Sequence, residues 1–184
     1  MKTLVAMLLL ASSLLAQDGY ITDKAKAEIA NAAAACGPEE THFDLKTSGA
    51  SHSIAQPEPG KAMLYVIGYD GNQNILCKGC AIVARVGLNG AWVGAVNGDS
   101  FLSTSVAPGE HHLCTQWQSR LSIRSKYLAL NSFTAEAGKT YYFRMRLIMQ
   151  GQQGPPLLDL EQINNDQGKY MVLTSRTSES HLKK

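Results

Sequence analysis

A series of glycine-containing turns constrains the fold more than any other feature of this chain. Asn89-Gly90, Asn97-Gly98 and Pro108-Gly109 stand 8 and 11 residues apart and separate short segments rich in β-branched and aromatic residues. Asn-Gly between two such segments strongly favours a β-hairpin. Short strands at this spacing are typical of an all-β sandwich or barrel. The turns therefore predict an all-β fold, and we favour an antiparallel β-sandwich.

The segments between the turns have the alternation or the continuous β-forming composition of strands. No long helical period separates them, so a parallel α/β sheet is disfavoured. We expect residues 80–119 to form a meander of neighbouring strands. Helices are predicted only outside this region: an N-terminal helix over residues 22–36 and a short C-terminal helix that Asn164 or Asn165 caps. The predicted strands span residues 61–69, 75–88, 91–96, 99–107, 110–119, 124–136, 139–150 and 157–163.

The first residues have the layout of a secretory signal peptide. Lys2 precedes an apolar run from Leu4 to Leu15, and small residues lead to Ala16. The run is shorter than the roughly 20 residues that cross a bilayer. A charged start followed by a short apolar core is typical of export signals. We expect cleavage after Ala16 and an exported protein, periplasmic or extracellular, with no membrane span after cleavage.

Charge excludes one class of partner. The net charge is +2, and basic residues are not clustered beyond Lys183-Lys184. Nucleic-acid binding requires a basic patch or stripe, so we expect no nucleic-acid partner. Arg144 and Arg146 lie two apart in a predicted strand and are expected on one solvated sheet face. The predicted organisation is a signal peptide (1–16), a helical and extended lead-in (17–56), the β-sandwich domain (57–173) and a flexible Ser/Thr/Lys/Glu-rich tail (174–184).

The four cysteines favour two disulfides, because exported proteins meet an oxidising compartment. Three pairings of Cys36, Cys77, Cys80 and Cys114 are possible. Lys78-Gly79 can form a tight turn whose ends lie within disulfide reach. We therefore favour Cys77–Cys80 together with Cys36–Cys114. The second bond would join the helical lead-in to a strand of the core.

Two other interpretations of the cysteines are disfavoured. A thioredoxin-like Cys-x-x-Cys needs its first sulfur at a helix N-terminus, whereas strand-like residues flank the motif at 77–80. A four-cysteine zinc site usually has a second Cys-x-x-Cys, whereas Cys36 and Cys114 are isolated. Neither redox catalysis nor zinc binding is the prediction.

Residues 108–114, Pro-Gly-Glu-His-His-Leu-Cys, concentrate polar chemistry in one stretch. Adjacent strand residues point to opposite faces, so His111 and His112 cannot easily bind one metal ion. Glu110 and His112 share a face and are a candidate for a partial metal site or a general-base pair. We favour a structural interpretation, in which a turn leads into a strand and a histidine bonds a neighbouring turn carbonyl. Leu113 then contributes to the core.

Large aromatic residues complete the candidate site. They can line a ligand patch, but in a sandwich of this size they belong more often to the core. The candidates for binding are Trp92, Glu110, His112 and Tyr141. The chain has no P-loop, no G-x-S-x-G nucleophile elbow and no H-E-x-x-H motif. We expect no catalytic residue, no metal and no cofactor.

Four motifs follow one another along the chain: PEPGKAMLYV (57–66), VGLNGAWVG (86–94), PGEHHLCTQWQ (108–118) and TAEAGKTYYFRMR (134–146). In this order they resemble the bacterial secreted family called domain of unknown function 2846. The turn at residues 108–111 is also similar to turns in sandwich modules of the PEGA and carboxypeptidase regulatory type. The resemblance covers about residues 57–173 and implies a transthyretin-like or immunoglobulin-like sandwich, but no established activity. The Cys-Lys-Gly-Cys insert and the alanine-rich helix depart from the pattern.

These observations predict an exported, non-catalytic bacterial module that binds or scaffolds. Its expected partner is an envelope protein or a glycan, contacted through a sheet face or hairpin tips. The alternative is an exported thiol-redox or metal-dependent protein that uses Cys77, Cys80 and the region of His111 and His112.

Overall fold

A computed structural model of the chain describes residues 22–49, 53–69, 83–118, 128–148 and 157–183. These residues are mostly β, as predicted, and they also contain the two predicted helices. In chain order the elements are α1 (Asp23–Ala33), β1 (Phe43–Ser48), β2 (Ala62–Tyr69), β3 (Ala84–Leu88), β4 (Ala91–Val96), β5 (Ser100–Val106), β6 (Gly109–Trp117), β7 (Leu128–Ala135), β8 (Thr140–Ile148), β9 (Leu157–Ile163), α2 (Asn165–Thr174) and β10 (Arg176–Leu182).

The strands form two sheets. Sheet A has six strands in the order β1-β10-β5-β2-β8-β9, and sheet B has four in the order β4-β3-β6-β7. Sheet B is antiparallel throughout. In sheet A, however, β2 pairs with β8 and β10 pairs with β5 in parallel. The prediction of an antiparallel arrangement is wrong for these two pairs, because the chain crosses to sheet B between β2 and β8.

The turns predicted as hairpins have two different roles. Asn89 and Gly90 have φ of 51° and 86° and join β3 to β4 as a hairpin, since positive φ at both positions gives the type I′ turn that Asn-Gly favours. Asn97-Gly98 and Pro108-Gly109 instead carry the chain into and out of sheet A, where β5 pairs with β2. The expected meander is therefore wrong, and β3 pairs with β6.

The facing sides of the two sheets share one apolar core. It includes Leu64 and Val66 of β2, Phe143 of β8, and Val86 and Leu113 of sheet B, all fully buried. Sheets that bury one face against each other gain most of their stability from such interdigitating side chains. The core fixes which residues of sheet B point away from sheet A.

The other face of sheet A is covered by α2. Met171 and Val172 pack on Tyr142, whose ring stacks on Tyr65 at 5.2 Å between centroids. A Cβ at Gly168 would lie 2.2 Å from the Tyr142 ring, so only glycine allows this close approach. The predicted cap is confirmed, since the Gln167 N–H donates to Asn164 Oδ1 at 2.9 Å.

Residues 176–182 form strand β10, contrary to the prediction of a flexible tail over residues 174–184. β10 pairs with β1 antiparallel and with β5 in parallel, so most of the expected flexible tail is a strand and the lead-in contributes β1. The serine side chains of β10 take part in pairing: Ser178 Oγ donates to Ala95 O at 2.9 Å, and Ser180 Oγ accepts from Ala95 N–H at 3.1 Å. The polar composition of residues 174–184 predicts a flexible tail, whereas two serine side chains of β10 form hydrogen bonds with the main chain of the edge strand β4.

Among the described residues, neither α1 nor α2 has the length and apolar character of a transmembrane helix.

Candidate functional site

The candidates Trp92, Glu110 and His112 lie on the outer face of sheet B, which points away from sheet A. Strand alternation produces this face: Val86 and Leu113 enter the core, so their neighbours Arg85, His112 and Cys114 point outwards. The face has two parts. One part is covered by residues 34–41, which we call the strap, and the other is exposed.

The strap is bonded covalently to β6. Cys36 and Cys114 form a disulfide with a Cα–Cα distance of 5.3 Å, which confirms the predicted pair. Cys114 is fully buried, whereas Cys36 is partly exposed. The Gly90 N–H donates to Ala35 O at 3.0 Å and adds a main-chain contact at the hairpin turn.

Arg85 is the residue of this face that the sequence analysis missed. Its side chain is 3% exposed, and its Nη1 donates to Glu39 O at 2.7 Å and to Thr41 O in the strap. Its Nη2 donates to the Gln116 side chain. Burial lowers the pKa of Arg85, and the nearby Glu39 carboxylate opposes this shift. The available signal was a charged residue inside an otherwise apolar strand, Ala84–Leu88, because arginine is rarely buried without a partner.

Trp92 completes the covered part. The Arg85 guanidinium carbon lies 4.3 Å from the centroid of the indole ring, within cation–π distance. The indole Nε1–H donates to Pro38 O at 2.7 Å. Trp92 was predicted as a binding candidate, and the structure places it against the protein's own strap.

The exposed part contains Glu110 and His112 of β6, opposite Thr134 and Ser132 of β7. Glu110 Oε1 and His112 Nε2 are 3.7 Å apart, so the two predicted neighbours do share a face. Both side chains are more than half exposed, and exposed ion pairs contribute little to stability. We call these four residues the open patch.

His111 points the opposite way and has a structural role. It is buried, its Nε2–H donates to Ala107 O at 2.7 Å, and its Nδ1 accepts from the Asn89 amide at 2.8 Å. A carbonyl can only accept, which assigns the ring proton to Nε2. The ring also stacks on Phe133 at 5.5 Å. The predicted bond to a turn carbonyl is found, and His111 and His112 do not converge.

Tyr141 is separate from the other candidates. Its Oη accepts from Glu136 N–H at 3.0 Å across the turn before β8, and its ring packs on Phe133 at 5.1 Å. It therefore lies at the margin of the core between the sheets. The structure brings together Trp92 and Cys114, and Glu110 and His112, but not Tyr141.

Arg144 and Arg146 are paired with carboxylates of β9. They lie opposite Glu161 and Asp159 in the register of sheet A. Arg146 donates to Asp159 at 2.9 Å and to Glu161 at 3.0 Å, and Arg144 also pairs with Glu161. The hydrogen bond to Asp159 raises the pKa of Arg146. The two arginines share one face, as predicted, and form an ion-pair ladder there.

Several predictions fall on other parts of the chain. Cys77, Cys80 and the signal peptide lie outside the described residues. Within the described ranges, no three His, Cys, Asp or Glu side chains are grouped closely enough to hold a metal ion.

Comparison with known proteins finds no matching family model, no matching curated protein and no matching solved structure.

Proposed function

We propose that this protein is an exported, non-catalytic module of the bacterial envelope that binds a protein or glycan partner through the open patch. The observation that carries the proposal is the disulfide between the strap and a buried cysteine of β6. Such bonds persist in oxidising compartments and are rare in the cytosol. The disulfide supports export, in agreement with the predicted signal peptide.

We also infer that the fold is a β-sandwich. Two sheets that share one apolar core support a β-sandwich. The sequence motifs that resemble domain of unknown function 2846 support a module of this secreted family, with a transthyretin-like or immunoglobulin-like sandwich fold. Mixed pairing in sheet A would then be a local variation on that plan.

The binding role is proposed for the open patch because its side chains have no demanding structural contacts. Glu110, His112, Ser132 and Thr134 are exposed, on a flat sheet surface that offers carboxylate, imidazole and hydroxyl groups. The hydroxyl and imidazole groups can donate and accept hydrogen bonds, and the Glu110 carboxylate accepts them. Such a surface suits hydroxyl-rich glycans or the polar surface of a protein. His111, Cys36 and Cys114 are instead engaged in structural bonds.

Fractionation and binding test the proposal together. We expect the mature protein outside the cytosol, beginning after Ala16 by N-terminal mass spectrometry, and co-sedimenting with envelope fragments. Ser132→Arg is expected to weaken co-sedimentation about tenfold, a change of about 1.4 kcal/mol. Gln162→Arg, which adds the same side chain at an exposed position of β9, is the matched control and is expected to have no effect.

Two results would contradict the proposal. Retention of the protein in the cytosol with free thiols would exclude export. Reduction of insulin by the native protein would favour the thiol-redox alternative that uses Cys77 and Cys80.

A further inference from the structure

The strap is attached to the domain by polar and covalent contacts, with little apolar packing. In residues 22–41 only Ala35 is buried, and α1 has no buried residue. Regions with few buried apolar contacts open locally at a free-energy cost below that of global unfolding. The disulfide is therefore the main restraint that keeps the strap on sheet B.

The surface beneath the strap has the chemistry of a peptide-binding site. Its donors contact main-chain carbonyls of one short turn: Trp92 Nε1 bonds Pro38 O, and Arg85 bonds Glu39 O and Thr41 O. The turn is closed by Thr41 N–H, which donates to Pro38 O at 3.3 Å. Side chains that donate hydrogen bonds to the carbonyls of this turn could bind a similar turn of another polypeptide in the same way.

The occupant of this surface is acidic. Residues 38–41 read Pro-Glu-Glu-Thr, and the Glu39 carboxylate lies near enough to Arg85 to act on it electrostatically. The direct acceptors of the Arg85 guanidinium are nevertheless neutral oxygens. An arginine fork binds carboxylates more strongly than neutral carbonyls. A carboxylate-bearing peptide can therefore compete with the strap once the strap is free.

We propose that the strap occupies an acidic-peptide site formed by Arg85, Trp92 and Gln116, and that reduction of the Cys36–Cys114 disulfide opens this site to an acidic peptide of a partner protein. The inference rests on the proposed function, because it adds a second, redox-controlled surface to a binding module. The open patch does not depend on it.

Opening requires a dithiol reductant. One of its thiolates attacks the partly exposed Cys36 sulfur, and Cys114 leaves as a thiolate that takes up a proton. The second thiol of the reductant then attacks the mixed disulfide and releases Cys36 as a thiol. The protein gains two electrons and two protons, and the reductant becomes a disulfide.

Hydrogen exchange of the full chain tests whether the strap opens. In dithiothreitol we expect exchange at the Gly90 N–H, whose acceptor is Ala35 O, to accelerate at least about tenfold, while β2 and β8 stay protected. Unchanged exchange at Gly90 would overturn the proposal. Equal loss of protection throughout the domain would also overturn it, because the disulfide would then act on global stability alone.

Peptide binding tests the site. We expect fluorescently labelled Gly-Pro-Glu-Glu-Thr-His, the sequence of residues 37–42, to bind the reduced protein and not the oxidised one. Glutamine in place of both glutamates is expected to weaken binding about tenfold, because it removes the negative charge that can attract the Arg85 guanidinium. Arg85→Gln is expected to abolish binding, whereas Arg176→Gln, at an exposed position of β10, is expected to leave it intact.

The outcomes separate the possibilities. If Arg85→Gln does not fold, Trp92→Phe provides a second test. This substitution keeps an aromatic ring but removes the N–H that donates to Pro38 O, and it is expected to weaken binding. Equal binding by a uronic-acid oligosaccharide of the same charge would show a general anion site and overturn the assignment to peptides. Envelope binding by the oxidised protein without peptide binding by the reduced one would leave the proposed function standing and remove this inference.

Discussion

The two sheets have their outer faces covered in contrasting ways. On sheet A, α2 buries Met171 and Val172 against the stacked pair Tyr65 and Tyr142. On sheet B, the strap buries only Ala35 and relies on a disulfide and polar bonds. Apolar burial is indifferent to redox conditions, whereas a disulfide persists only where it is not reduced. The attachment of α2 to sheet A is therefore independent of redox conditions, whereas the attachment of the strap to sheet B depends on them.

The largest expected effect comes from removing the covalent bond. Cys36→Ser with Cys114→Ser is expected to lower the free energy of unfolding by about 3 kcal/mol, within the usual range for a native disulfide. The entropy model gives about 4.5 kcal/mol for a span of 78 residues, but a freed strap regains some of that entropy in the folded state. Urea unfolding of both proteins in oxidising and reducing buffer measures the change. If the variant and the unchanged protein still differ in unfolding free energy in reducing buffer, the loss is not due to the disulfide.

Met171→Ala tests the apolar cover. We expect a loss of about 2.5 kcal/mol, since truncating a buried methionine removes transfer energy and leaves a cavity. Leu173→Ala on the exposed side of the same helix is the control and should change the free energy of unfolding by less than about 0.5 kcal/mol. Because α2 is held by apolar packing, we expect Met171→Ala to lower the free energy of unfolding equally in oxidising and in reducing buffer. A loss that depends on redox conditions would contradict the difference between the two covers.

The helix cap of α2 is expected to contribute less. Asn164→Ala removes the acceptor for the Gln167 N–H and should cost about 1 kcal/mol. Thermal unfolding by circular dichroism measures this loss, and Asn164→Ser, which keeps a capping oxygen, should restore most of the stability. Failure of serine to restore it would mean that the side-chain amide has another role.

The smallest effect at neutral pH is expected for Tyr142→Phe. Within the described residues the Tyr142 hydroxyl is buried without a hydrogen-bond partner, so its removal should be neutral or slightly stabilising. Burial raises the pKa of Tyr142, and also that of Tyr65, above the usual value of 10.0. The folded state therefore holds these protons more tightly, and stability that is complete below pH 10 is lost as the pH rises above it.

Alkaline unfolding checks that sign. Between pH 8 and pH 11 we expect Tyr142→Phe to lose less unfolding free energy than the unchanged protein, because one of the two raised groups is absent. An equal loss in both proteins would assign the alkaline sensitivity to other groups.

Local chemistry was predictable from the sequence, and long-range pairing was not. Asn89-Gly90, the Asn164 cap and the Cys36–Cys114 bond each follow from the preferences of a few residues, and all three are found. Asn97-Gly98 was placed in a meander because a turn sequence specifies a change of direction but not the sheet that the next strand joins. Phe101 and Leu102, adjacent and both buried, show that β5 has two apolar faces and belongs in the middle of sheet A.

The missed parts have a common cause. β10 consists mostly of Ser, Thr and charged residues, and its pairing partners lie far away in the sequence, so no local pattern indicates it. The role of Arg85 could not be predicted from local sequence, because its acceptors in the strap lie about 45 residues upstream. Of the candidate site, the sequence identified Trp92, Glu110, His112 and the Cys36–Cys114 bond, but not Arg85 or its contacts with residues 39 and 41.

The two serine hydroxyls of β10 also have a consequence for the behaviour of many copies together. An unpaired strand border is a template on which a neighbouring molecule can add its own strand, the first step towards aggregation. Because Ser178 and Ser180 occupy the Ala95 N–H and C=O, that position on β4 is closed to strand addition. Residues 176–182 thus block one point on the border of sheet B at which a strand of another molecule could add.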